Sequence, residues 1–89
     1  MNDSQMSFET FILSLGTATL VSLGEVKNPS TGKEEKNLVS AKQHIEILDL
    51  LEKKTVNNLT DQEKRLLQQI LYELRLKYVA QTANTENKK

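Results

Sequence analysis

"TDQEKRLLQQILYELRLKYV", residues 60–79, carries a helix start signal and more apolar surface than one helix face needs. Thr60 followed by Glu63 reads as a capping box. The threonine hydroxyl accepts from the Glu63 amide, and the Glu63 carboxylate reaches back to the Thr60 amide. The pattern predicts a helix over about residues 61–79. Leu66, Leu67, Ile70, Leu71, Leu74 and Tyr78 share one face, the stripe of a helix packed on a core. Tyr72, Leu76 and Val79 form a second cluster away from that stripe, about 60° wide at 3.6 residues per turn. Lys64 and Arg75 border one side of it, and Glu73 and Lys77 the other. A helix that is apolar on two sides is normally buried on both.

Two further helices are expected upstream. Residues 38–55 place Leu38, Ala41, Ile45, Leu48 and Leu51 on one broad stripe, with Ile47 beside it and Lys42, Glu46, Asp49 and Lys53 opposite. Asn37 can cap this helix, and Asp49 with Lys53 forms a favourable four-apart pair. The short link "VNNL" makes it an antiparallel neighbour of the last helix. Residues 7–26, "SFETFILSLGTATLVSLGEV", hold no charge between Thr10 and Gly24. Ser7 is a candidate N-cap, and Gly24 a candidate left-handed stop, so a helix is expected over about residues 8–23. Phe8, Phe11, Ile12, Leu15, Thr19 and Leu23 share one side; Leu13, Gly16 and Leu20 widen it; Thr10, Ser14, Thr17, Ala18 and Val21 make a small, uncharged second side. The intervening "NPSTG", residues 28–32, reads as a turn able to close a tiny hairpin, with Val26 as its only apolar foothold.

The expected class is therefore all-α: three helices, the second and third an antiparallel hairpin, packed as a homodimer or higher helical oligomer. The expected organisation is a flexible head over residues 1–6, one helical domain over residues 7–79, and a flexible polar tail over residues 80–89. The oligomer follows from size. A chain of 89 residues with frayed ends approaches the ~70–80 residues below which one core seldom suffices. No disulfide can substitute, because there is no cysteine. The suspected interface is Leu13, Leu20, Val21, Tyr72, Leu76 and Val79.

Other classes are disfavoured. Twelve Lys and Arg balance 12 Asp and Glu, whereas nucleic-acid binders usually carry the basic excess that neutralises phosphates. Tyr72, Leu76 and Val79 also occupy the outer side, where a recognition helix exposes polar groups. No nucleic-acid partner is expected. The uncharged stretch is shorter than the ~20 apolar residues of a membrane span, and Asp3 precedes it where a secretory signal would be basic. Peripheral lipid contact through the first helix is the alternative, disfavoured because such helices line their polar face with lysine or arginine. His44 is the sole histidine and falls between Leu48 and Leu51 on the wheel, which suits packing better than metal binding. No catalytic, cofactor-binding or metal residue is expected, and an enzyme is the least supported class.

Three segments carry a specific resemblance: "SFETFILSLGTATLVSLGEV", "NPSTGKEEKNLVSAKQHIEILDLLEKKT" and "NLTDQEKRLLQQILYELRLKYV". Together they resemble a small bacterial family known only as a domain of unknown function, DUF1844, from residue 6 to about residue 79. The resemblance implies a small cytoplasmic helical protein acting through contacts with itself or with an unidentified protein partner. It supplies no catalytic residues.

Overall fold

The computed structural model describes residues 6–86. They form an all-α three-helix bundle: α1 over Phe8–Ser22, α2 over Leu38–Lys54 and α3 over Asp61–Glu86. Each helix packs against both others.

Local chemistry sets the ends. The Ser7 hydroxyl accepts from the Thr10 amide at 3.0 Å, and Asn37 Oδ1 accepts from the Ser40 amide at 3.0 Å. At α3 the box closes both ways: the Thr60 amide donates to Glu63 Oε1 at 2.9 Å, and the Glu63 amide donates to Thr60 Oγ1 at 3.1 Å. Each cap satisfies amides that the first turn would leave unpaired. The α1 C-terminus ends in a Schellman motif. Gly24 takes φ +79°; its amide donates to the Val21 carbonyl at 3.0 Å, and the Glu25 amide to that of Leu20 at 3.0 Å.

The core is a single cluster of Ile12, Leu23, Ala41, Ile45, Leu48, Leu67, Leu71 and Leu74. Each large aliphatic side chain there contributes about 1.5–3 kcal/mol of burial free energy before ordering costs. Phe8, Leu15, Leu20, Leu38, Leu51, Leu66, Ile70 and Tyr78 pack around it, half-buried. Thr19 is fully buried, and its hydroxyl donates to the Leu15 carbonyl at 2.7 Å, which removes the cost of an unpaired polar group. Gly16 is buried where α1 approaches α3: a Cβ there would lie 3.5 Å from Ile70 Cγ2.

Four expectations need adjustment. The first helix stops at Ser22, with Leu23 as its C-cap. The NPSTG segment forms no strands among the described residues. It is a loop folded around Asn28, whose carbonyl accepts from the Gly32 amide at 2.7 Å and whose amide donates to Lys33 O at 2.8 Å. Asn28 Oδ1 takes the Ser30 amide at 2.8 Å, and these local bonds leave the backbone no ladder to build. The third helix does not end at Val79 but runs through Glu86, because extending an existing helix costs little compared with starting one. Phe11, placed on the apolar side of the first helix above, is 40% exposed, and Ile47, set beside the α2 stripe, is 42% exposed. Residues 1–5 of the expected head and residues 87–89 of the tail lie outside the described residues.

The helices differ in length. At 1.5 Å per residue, the 26 residues of α3 span about 39 Å, against about 22 Å for the 15 of α1. Glu25, just past the end of α1, meets Lys77 Nζ at 3.9 Å and Gln81 Nε2 at 3.1 Å. The last turn of α3 therefore projects beyond the end of α1.

Candidate interaction surface

The outer side of α3 follows from its own periodicity. With Leu67, Leu71 and Leu74 buried, residues half a turn away must face outward. Tyr72, Leu76 and Val79 are those residues, exposed by 64%, 55% and 62%. No part of α1 wraps over them. Val79 also edges a shallow groove between α2 and α3, lined by Ile45, Glu46, Asp49 and Tyr78.

The other suspected residues lie elsewhere. Leu13 and Leu20 line a second groove, between α1 and α3, with Gly16, Ile70, Glu73 and Lys77. Leu13 is 50% exposed, whereas Leu20 packs against the core cluster. Val21 is half-buried. The structure thus brings Tyr72, Leu76 and Val79 together and sets Leu13 and Leu20 on a different face, with the charged Glu73 and Lys77 between.

An ion-pair cluster flanks the α3 patch. Arg75 Nη2 donates to Asp49 Oδ1 at 2.7 Å, and Lys53 Nζ meets Asp49 Oδ2 at 3.0 Å. The Lys53 hydrogen bond, helped by the charges of Lys53 and Arg75 and by the Arg75 hydrogen bond, holds the Asp49 carboxyl below its usual range against an opposing desolvation. The Asp49–Lys53 pair was readable four residues apart; Arg75 joins it only through the tertiary fold.

The remaining chemistry is sparse. His44 is half-buried, with Nδ1 3.5 Å from Ser40 Oγ, and Ser40 Oγ accepts from Ser22 Oγ at 3.2 Å. The Ser22–Ser40 bond ties α1 to α2. Among the described residues, no three His, Cys, Asp or Glu side chains gather as a metal site would require. No described helix is long and apolar enough to cross a membrane. A cleft of about 480 Å³ at the α2–α3 link is lined by Glu52, Lys53, Asp61 and Lys64 among others, charges of both signs with no convergent set.

Compared with known proteins, the chain matches no curated sequence and no solved structure. A family profile does match, over residues 5–80, which include all of α1 and α2, the Thr60 cap of α3, and the Tyr72, Leu76 and Val79 face. That span is most of the 89 residues, and the chain belongs to the family described as Domain of unknown function (DUF1844).

Proposed function

We propose that this protein is a non-catalytic helical interaction protein of the cytoplasm that associates with a second copy of itself. The observation that carries the reading is the α3 outer face, where three large apolar side chains stand more than half exposed in a row. Scattered single leucines on a surface need no partner. A row on one helix face, opposite a buried stripe, is what a self-complementary interface offers, because one patch then serves both partners. The α2–α3 pair supports it as an antiparallel hairpin: the Asp49–Arg75 bond and the capped link at Thr60 fix α3 against α2 and hold the outer face outward.

Sedimentation equilibrium across a wide concentration range tests the proposal. The expected result is a mass that rises toward a dimer or higher oligomer in the micromolar range. A protein that remains monomeric at high micromolar concentration, with a cooperative melt, overturns it. Lipid contact through α1 is the competing reading, because Leu13 and Phe11 are exposed there. Vesicle flotation separates the two: wild type that floats, with a Leu13→Glu variant that does not, favours the membrane. Retention on DNA or RNA that falls steeply with salt would instead mark a nucleic-acid binder.

A further inference from the structure

The exposed α3 residues keep a stricter spacing than a patch needs. Gln69, Tyr72, Leu76, Val79 and Ala83 follow one another at steps of three, four, three and four, and all five are exposed. That alternation is the spacing of a two-helix coiled-coil seam. It runs past Gln81, the residue that meets Glu25, onto the part of α3 that projects beyond α1. A projecting turn gains little from its own short length, and a partner helix lying along it would supply packing that the bundle does not.

Bulk and charge select the occupant and its register. In a parallel pair, Tyr72 would meet Tyr72 at one end of the seam and Ala83 would meet Ala83 at the other, crowding the first and leaving a gap at the second. Well-packed seams instead place large against small. An antiparallel pair with Leu76 opposite Val79 sets Tyr72 opposite Ala83 and so balances bulk in those two layers. Its flanking contacts put Glu73 beside Ala80 and Arg75 beside Thr82, so no like charges meet. The next antiparallel register, one heptad away, brings Glu73 against Glu73 and Arg75 against Arg75, which like-charge repulsion disfavours. Opposed helix dipoles favour the antiparallel arrangement as well.

We propose that the chain pairs with a second copy through α3 in an antiparallel two-helix seam, Leu76 opposite Val79 and Tyr72 opposite Ala83, so that the projecting end of each α3 lies against the outer face of the other. The inference rests on the self-association proposed above and adds its surface, direction and register. The absence of native cysteine makes the test clean. Single variants Tyr72→Cys and Ala83→Cys of the full chain, both at exposed positions, are oxidised separately and mixed. The expected result is disulfide-linked dimer on mixing, at several-fold the yield of either variant alone. Ala83→Cys that links to itself as fast as the mixture does overturns the antiparallel register in favour of a parallel one. A mixture that does not link, while wild type sediments as a dimer, overturns the α3 seam and leaves self-association standing. A wild type that stays monomeric in sedimentation overturns both.

Discussion

Replacing Leu76 with glutamate strikes the centre of the seam without touching the core. Leu76 is 55% exposed in one chain, so a partner can remove about half of its surface from water. Full burial of a leucine contributes about 1.5–3 kcal/mol, and half of that is about 0.75–1.5 kcal/mol per copy. In a symmetric dimer the residue counts twice, giving about 1.5–3 kcal/mol. At 1.4 kcal/mol per decade, the dissociation constant should rise about 10- to 150-fold from the apolar contribution alone. Desolvating the new carboxylate adds to this. Sedimentation velocity over a dilution series reads the change, with Gln43→Glu on exposed α2 surface as the control expected to leave association unaltered. Far-UV circular dichroism should show both variants equally helical. A Leu76→Glu variant that stays folded and dimerises within about threefold of wild type refutes the reasoning, because the lost burial would then have no counterpart in binding.

Three predictions address the fold that presents this face. Thr60→Ala removes the acceptor for the Glu63 amide and should cost about 1 kcal/mol in chemical denaturation; no measurable loss would mean that α3 is nucleated elsewhere. Gly16→Ala should stabilise by roughly 0.5–1 kcal/mol, because its Cβ meets Ile70 only at ordinary contact distance, 3.5 Å. Gly24→Ala, at φ +79°, should instead destabilise by about 1–2 kcal/mol; equal signs for the two glycines in thermal melts would contradict the account. The Asp49 carboxyl sits below its ordinary range in the folded chain, so its stabilisation is present above the unfolded value and lost as pH falls through the folded one. Denaturation midpoints of wild type and Asp49→Asn should therefore converge below about pH 4, and a gap between them independent of pH would disprove the role of that charge.

Periodicity and caps made the three helices legible, because both are properties of one helix at a time. Ser7, Asn37 and Thr60 each bond the amide that their spacing implies, and the buried stripes of α2 and α3 are those the sequence pattern marks. What lay hidden depends on two helices at once. Asp49 and Arg75 are 26 residues apart, and nothing in the spacing of either announces the other. Leu13 and Leu20 are grouped above with the α3 residues in one suspected interface, yet the rotation of α1 about its axis puts Glu73 and Lys77 between them. Phe11 carried a helical core signal but sits at the rim, since the width of a buried stripe depends on how closely neighbouring helices approach. The extension of α3 to Glu86 was masked by polar side chains, for "AQTANTE" has no apolar period to mark a helix. The Tyr72, Leu76 and Val79 face was readable because its residues and the buried stripe opposite belong to the same helix.

Isotope-filtered NOE spectroscopy on an equimolar mixture of labelled and unlabelled protein tests the central claim most directly, since it records only contacts between copies. Intermolecular cross-peaks are expected from the methyl groups of Leu76 to those of Val79, and from the Tyr72 ring to the Ala83 methyl. A mixture that is dimeric by sedimentation yet shows intermolecular cross-peaks only from α1 or α2 side chains would contradict that claim.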